Sequence, residues 1–162
     1  MPILRADFDL YNSLDPFGIY SDALLWEALT AVDLAAHIKA HLSGGLEADV
    51  AQGGENWSAG QRQLLCLARA LLEKPKLMVM DEATSNIDSK TDDKIQAMLQ
   101  SAFVECSVLT IAHRIDTIMW YDKVLVLDQG SVLEYDSPKD LAQKEGSAFG
   151  ALLAEYSKGK KN

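Results

Sequence analysis

Residues 56–88 constrain the fold more than any other part of the chain. They contain a glycine-bearing turn, then apolar residues at helical spacing, then four apolar residues followed by two adjacent acids. The helical run stops at Lys74 and Pro75, because proline cannot continue a helix. The apolar run 77–80 is too short for a helix after such a break and predicts a buried strand. This part of the chain is therefore predicted to form a turn, a helix beginning near Ser58 and a strand with carboxylates at its C-terminal edge.

The two acids at that edge, Asp81 and Glu82, predict a metal-assisted site. Ligands of open α/β sheets bind outside the carboxyl ends of the strands, so acids placed there lie where a metal-bound phosphate would sit. We expect Asp81, the first residue off the strand, to hold Mg²⁺ directly or through water. We expect Glu82 to polarise or orient the water that attacks the γ-phosphate. Termination of a strand by charge explains one acid better than two adjacent ones.

The start of the predicted helix has two compatible interpretations. Ser58 and Gln61 stand in a Ser-x-x-Gln relation, which is typical of a helix N-cap with its reciprocal partner. A helix N-terminus also carries free backbone N–H groups and a partial positive charge, and Gly60 would let a phosphate approach the backbone. The pattern thus predicts a capped helix start that can receive an anion.

Three stretches in this region carry a resemblance to a known family. Residues 57–63, 67–72 and 78–88 resemble, in order and spacing, the signature motif, Walker B motif and D-loop of the nucleotide-binding domain of ATP-binding cassette (ABC) transporters. We call residues 57–61 the signature segment. Residues 14–17, Leu-Asp-Pro-Phe, look like an element of subfamily C of these transporters, with Ser13 where that element has asparagine. The resemblance covers about residues 14–153.

The resemblance implies roles for particular residues. The signature segment of one domain would contact ATP held by a second nucleotide-binding domain in a head-to-tail dimer, and its residues are Trp57, Ser58, Ala59, Gly60 and Gln61. Asp88 would be the D-loop aspartate that reaches across the dimer interface. His113, within residues 110–114, looks like the H-loop histidine that contacts the γ-phosphate, although a lone histidine is usually a satisfied interior residue. Trp57 and Ala59 depart from the usual signature, and the Ala59 methyl group predicts weaker contact with nucleotide.

The expected fold class is α/β, a partial ABC-type P-loop NTPase fold. It would comprise a helical signature part over residues 14–75, and parallel strands flanked by helices with a C-terminal β-hairpin over residues 76–153. Ser89 and Asp92 predict the capped start of a helix, and Asp128-Gln129-Gly130 predicts the turn of the hairpin. Neither of the two cysteines has ligand spacing, so both are expected to be buried free thiols. The length fits one globular domain, residues 1–162.

The motif Gly-x-x-x-x-Gly-Lys-Ser/Thr, which cradles the nucleotide phosphates, begins at none of the ten glycines. Alignment on residues 14–16 places the expected Q-loop glutamine at about Met1. The chain is therefore expected to lack the N-terminal half of the domain, with its Walker A motif and Q-loop. Alone it is expected neither to bind nor to hydrolyse ATP appreciably, and to expose apolar strand surface that promotes aggregation.

Several functions remain to be weighed. The formal net charge of -9 opposes binding to nucleic acid, which needs clustered Lys and Arg. It therefore disfavours the soluble DNA-repair ATPases that share these motifs, as does the absence of a long heptad insertion. The resemblance implies the second nucleotide-binding domain of an exporter, using ATP and Mg²⁺ at the cytoplasmic face of a membrane, with transmembrane domains as partners. The alternative is a catalytically incompetent module that donates its signature segment to a partner's ATP site.

Overall fold

The structure is a computed structural model that describes residues 8–81, 86–111 and 115–159. The chain divides into two compact units, residues 1–110 and 111–162. The predicted division by motifs, at residues 75 and 76, stays a prediction.

Among the described residues, the first unit contains five helices and strands before the signature segment, one helix that begins within it, and three elements after that helix. In chain order they are β1 (Phe8–Asp9), α1 (Leu10–Leu14), α2 (Asp22–Ala31), α3 (Ala35–His41), β2 (Asp49–Val50), α4 (Ala59–Glu73), β3 (Leu77–Asp81), α5 (Ser89–Ala102) and β4 (Ser107–Ile111). Single 3-10 turns lie at Gly45–Glu47 and Gln52–Gly54. The antiparallel pair β1–β2 joins the start of the described chain to the loop that leads into the signature segment.

The core of this unit is built where α2 packs against α4. Leu25 and Leu29 of α2 and Ala68 of α4 are fully buried, as their helical spacing predicts. From Ser21 onward the chain forms two helices, α2 and α3. The break lies at Asp33, whose φ of 63° is left-handed and cannot continue a helix.

Helix α4 confirms the prediction from the sequence at both ends. Ser58 is its N-cap, and it ends at Glu73 with Lys74 as a C-cap in the left-handed conformation (φ 45°). Pro75 follows at once, so the chain leaves the helix and enters β3.

Strands β3 and β4 are hydrogen-bonded neighbours joined by the helix α5. The Ser107 N–H, at the start of β4, donates to the carbonyl of Lys76, just before the start of β3, over 2.9 Å. Since the two strands begin side by side, they run parallel, as predicted.

The predicted burial of β3 holds for one face only. Met78 and Met80 are buried, whereas Leu77 and Val79 are 62% and 63% exposed. Leu109 of β4 is 57% exposed, on a strand whose accessibility alternates in the same way. Apolar strand surface therefore faces solvent in this structure, as expected for a sheet without further layers.

Helix α5 corrects one detail. Its N-cap is Asp88 and not Ser89, and the Asp88 carboxylate accepts a hydrogen bond from the Thr91 N–H over 3.0 Å. The Asp88 side chain thus reaches the N–H of the third helical residue, which is the geometry of an N-cap. The sequence pattern was therefore displaced by one residue.

The second unit is a hairpin with three helices in the described residues. They are α6 (Ile115–Ile118), β5 (Val124–Asp128), β6 (Ser131–Asp136), α7 (Pro138–Gln143) and α8 (Ala148–Gly159). The predicted turn is confirmed: Gln129 and Gly130 both have positive φ, as a tight two-residue hairpin requires. Buried Glu134 accepts hydrogen bonds from the Ser147 hydroxyl and the Phe149 N–H. The hydrogen bond from Phe149 is the main cause that lowers the pKa of Glu134.

The predicted burial of the cysteines is wrong. Both are free thiols, but Cys66 is exposed and Cys106 is half-buried. Cys66 lies on α4 at a position that the apolar stretch around it suggested would face the core, yet it points outward. No helix within the described ranges is long and apolar enough to cross a membrane.

Candidate functional site

The signature segment is held by a polar framework on the loop before it. The side-chain amide of Asn56 accepts from the Ala51 N–H over 3.0 Å and donates to the Asp49 carbonyl over 2.9 Å. From α4, the guanidinium of Arg62 donates to the carbonyls of Gly54 and Trp57 over 3.1 and 2.7 Å. These four hydrogen bonds fix the direction in which the chain enters α4.

The capping box predicted for Ser58 and Gln61 is present. The Ser58 N–H donates to Oε1 of Gln61 over 2.8 Å, and the Gln61 N–H donates to the Ser58 hydroxyl oxygen over 3.2 Å. The first N–H groups of a helix have no partner within the helix. The box satisfies those of Ser58 and Gln61, whereas the N–H groups of Ala59 and Gly60 have no hydrogen-bond partner among the described residues.

The five residues of the signature segment differ in accessibility. Ser58 and Ala59 are exposed, and Gly60 and Gln61 are half-buried. Trp57 is only 3% exposed, and its indole Nε1 is buried with no hydrogen-bond partner among the described residues. The Trp57 side chain therefore supports the turn from the core, and its contact with nucleotide stays a prediction.

Gly60 is a glycine for a reason that the sequence did not give. A Cβ atom built on it would lie 2.7 Å from the backbone carbonyl oxygen of Asn86. Nearby, the Asn86 N–H donates to the Gln63 side chain over 3.3 Å. The start of α4 is thus held directly against Asn86, which lies just before α5 in the stretch that resembles the D-loop.

The predicted acidic residues lie on two elements. Asp81 ends β3 with an exposed side chain, and Asp88 is exposed at the start of α5. The hydrogen bond from the Thr91 N–H is the main cause that lowers the pKa of Asp88, so this carboxyl stays ionised well into acid. Glu82 and His113 lie outside the described residues. Asp88 is therefore the N-cap of α5, and its role at a dimer interface stays a prediction.

The start of α4 can bind an anionic oxygen. Two free N–H groups, a hydroxyl that can still donate its proton and the positive end of a 15-residue helix converge there. A helix dipole contributes about 0.3 to 1 kcal/mol and a charge-assisted hydrogen bond about 1.5 to 3 kcal/mol. Even millimolar affinity needs about 4 kcal/mol after ordering costs, so this surface supplements a phosphate site and does not make one alone.

Asp81 fits the donor set of a magnesium nucleotide. Mg²⁺ in such sites takes one or two carboxylates together with phosphate oxygens and waters. Within the described ranges, no three His, Cys, Asp or Glu side chains group closely enough to hold a metal ion by themselves. A single exposed carboxylate at a strand end therefore suits an ion that arrives with its phosphates.

One contact of the signature segment was not predicted. Nε2 of Gln61 lies 2.9 Å from Nε2 of His37 on α3. His37 and His41 occur four residues apart on a helix, which places them on one face, but nothing in that pattern points to Gln61. Only the folded packing of α3 beside the start of α4 reveals the contact.

Comparison with known proteins supports the resemblance. The sequence profile described as "ABC transporter" matches residues 14–85. ATP-binding cassette sub-family C member 3 of Rattus norvegicus is 51% identical over 149 residues, which are 92% of this chain and 10% of that protein. ABC transporter C family member 8 of Dictyostelium discoideum is 48% identical over 152 residues, covering 94% of this chain and 9% of that protein.

A solved structure shares the fold. The structure titled "Structure of a bacterial Atm1-family ABC exporter with ATP bound" superposes with a TM-score of 0.82 at 28% identity, covering 93% of this chain and 26% of that one. The chain spans about a tenth of the length of the curated relatives it matches. The profile, the subfamily C relatives and this fold agree with the motifs at α4 and β3, and the chain belongs to the ABC transporter family.

Proposed function

We propose that this chain is the C-terminal part of the second nucleotide-binding domain of a subfamily C exporter, in which ATP hydrolysis drives transport across a membrane. Its neighbours would be transmembrane domains and another nucleotide-binding domain, with this domain on the cytoplasmic face. The high identity to subfamily C members over nine-tenths of the chain supports this assignment. Nothing in the residues recognises cargo.

The proposed roles follow the positions of the side chains. Ser58, Gly60 and Gln61, with the exposed Ala59, form the surface that meets ATP held by the other domain, while buried Trp57 supports it. Asp81 holds Mg²⁺, and Asp88 faces the other domain. Glu82 orients the attacking water and His113 contacts the γ-phosphate, as the resemblance implies. The magnesium nucleotide supplies the phosphoryl group and the charge that these residues stabilise.

One observation carries the proposal. Among the described residues, the capping box leaves the N–H groups of Ala59 and Gly60 without a partner at a partly exposed helix start, beside a serine hydroxyl that can still donate its proton. If the cap only stabilised the helix, neither these N–H groups nor the hydroxyl would need to be accessible to a ligand. A surface that completes a partner's phosphate site needs all of them.

A second function is favoured by the lack of a phosphate-cradling motif in this sequence. Alone, the chain would be catalytically incompetent and would only donate its signature segment to a partner's ATP site. Calorimetry of the isolated chain with ATP and Mg²⁺ addresses this directly. We expect no binding in the micromolar range, and micromolar affinity would contradict both proposals, since each assigns the phosphate cradle to protein outside this sequence.

The signature role is tested with two variants at one position. Ser58→Asp and Ser58→Asn both keep a good N-cap, so helix α4 should form in each. The two side chains are nearly isosteric and differ in charge. A carboxylate facing the partner's phosphates should lower partner-stimulated ATP turnover by at least about tenfold relative to the asparagine variant, which corresponds to about 1.4 kcal/mol.

The measurement mixes the chain with a nucleotide-binding domain that has an intact phosphate loop and follows phosphate release. Circular dichroism of each variant checks that α4 is retained. Equal turnover for the aspartate and asparagine variants would show that Ser58 does not face phosphate, and the proposed site would be wrong.

A further inference from the structure

The capping box fixes the orientation of the Gln61 side-chain amide. Its Oε1 receives the Ser58 N–H over 2.8 Å, and a backbone N–H can only donate. The oxygen of this amide must therefore point toward Ser58. The nitrogen points the other way, toward α3.

This orientation determines the protonation state of His37. Nε2 of Gln61 lies 2.9 Å from Nε2 of His37, and an amide nitrogen donates. The imidazole must therefore accept at Nε2 and carry its proton on Nδ1. A protonated imidazole has two donors and no acceptor, so it cannot make this hydrogen bond.

We propose that His37 is a positioning residue that holds the signature segment in its capped form only while its imidazole is unprotonated. On protonation, two donors would face each other across the 2.9 Å contact. Either the contact breaks, or the Gln61 amide turns over and presents its NH₂ group to the Ser58 N–H. In the first case the Gln61 amide is no longer held by His37, so its capping oxygen is less well fixed. In the second case the capping box itself is lost.

The surroundings of His37 do not oppose this behaviour with a fixed charge. The titratable group in contact with it is His41 on the same helix, with ring centroids 4.8 Å apart, and the Trp57 ring lies 6.5 Å away. From α2, which packs against α3, Trp26 receives the ammonium of Lys39. On α4, the charge of Arg62 is directed at the carbonyls of Gly54 and Trp57. Within the described residues His37 forms no ion pair.

The consequence for nucleotide rests on the proposed function. If the signature segment meets a partner's ATP, that contact should weaken when the His37 imidazole is protonated, and lowering the pH from about 8 to 5 examines this. The positioning role itself is independent of nucleotide, because it concerns only the contact between α3 and the start of α4.

The test is therefore made on the whole chain without nucleotide. Nuclear magnetic resonance follows the His37 imidazole, the Ser58 amide and the Gln61 side-chain amide across that pH range. We expect all three to titrate with one midpoint. The protection factor of the Ser58 amide against hydrogen exchange should fall about fivefold on the acid side, the size expected of one capping hydrogen bond.

Three variants separate positioning from packing. His37→Phe removes the acceptor, and the Ser58 amide should then show the low protection at every pH. His37→Gln supplies an uncharged acceptor, and protection should stay high at every pH. His41→Phe removes the neighbouring imidazole and should leave the titration of Ser58 in place.

Two outcomes would overturn the proposal: a Ser58 amide that does not respond while His37 titrates, or a His37→Phe chain in which Ser58 stays protected. A Ser58 response that follows His41 would also reject it. None of these outcomes bears on the assignment of the signature role, which the Ser58→Asp and Ser58→Asn pair tests with a partner domain and ATP.

Discussion

At the scale of single residues, the absence of a Cβ atom at a glycine can be required for packing. Gly60 and Gly150 both lie in helices with negative φ, so helix propensity alone favours alanine at either by up to about 1 kcal/mol. Their surroundings differ. A Cβ on Gly60 would meet the Asn86 carbonyl oxygen at 2.7 Å, whereas one on Gly150 would meet the Leu141 carbonyl oxygen at 3.3 Å.

We therefore predict that the same change has a large effect at Gly60 and a small one at Gly150. Gly60→Ala should lower the free energy of unfolding by about 1 to 3 kcal/mol, because a backbone oxygen cannot move aside cheaply. Gly150→Ala should change it by less than about 1 kcal/mol. Denaturant unfolding of both variants measures the difference. Equal effects of the two substitutions on stability would mean that the Asn86 backbone can move away from α4 at little cost.

Asp15 shows how a buried charge is kept. It is 1% exposed, and burial, the largest effect, acts to raise its pKa. Backbone N–H groups of residues 17–20 outweigh that effect, with the Tyr20 N–H donating over 2.6 Å, so the pKa lies below its ordinary 3.8. The carboxylate thereby organises the loop between α1 and α2.

This gives a prediction with a defined sign. Because the folded pKa is below the unfolded one, the stability from Asp15 is present at neutral pH and is lost as pH falls through the folded pKa. Asp15→Asn should cost about 1 to 3 kcal/mol at neutral pH, since an amide replaces one acceptor oxygen with a donor. The difference between the two proteins should shrink below about pH 4 in unfolding experiments. A difference that grows in acid would contradict the lowered pKa.

At the scale of elements, local patterns predicted more than pairwise contacts did. Helix α4, its capping box and the hairpin turn at Gln129 and Gly130 follow from residues close in sequence, and the structure has them as predicted. The contacts of Gly60 with Asn86 and of Gln61 with His37 join residues 26 and 24 positions apart. Such contacts depend on how helices pack, which periodicity does not specify.

The framework around the signature segment makes an element-scale prediction with a control on the same helix. Arg62 donates to the carbonyls of Gly54 and Trp57, whereas Arg69 pairs with Glu73 at the surface over 3.4 Å. Arg62→Met leaves two carbonyls without their charged donor and should cost about 1.5 to 3 kcal/mol. Arg69→Met removes an exposed ion pair and should cost at most about 1 kcal/mol. Thermal unfolding compares them, and similar losses would show that the turn is not held by Arg62.

At the scale of the whole molecule, the sequence predicted the fold class but not which strand face is covered. The order of motifs predicted the parallel strands and the fold class, and the fold match agrees. The sequence alone did not tell which face of β3 would be covered. Residues 77–80 are all apolar, and such a continuous apolar run is typical of a strand buried on both faces. In this structure Met78 and Met80 are covered and Leu77 and Val79 are not.

Those exposed faces predict self-association of the chain in solution. Val79 and Leu109, on neighbouring strands, are 63% and 57% exposed, and burying each against another molecule would contribute about 1.5 kcal/mol. The double change Val79→Thr and Leu109→Thr places a β-branched polar side chain at both positions and should weaken association by roughly tenfold or more without lowering stability much. Met78→Thr on the buried face is the control and should instead destabilise the fold and increase aggregation. Sedimentation velocity over a range of concentrations measures this self-association. A wild-type chain that stays monomeric throughout would show that the exposed face of β3 and β4 does not mediate self-association.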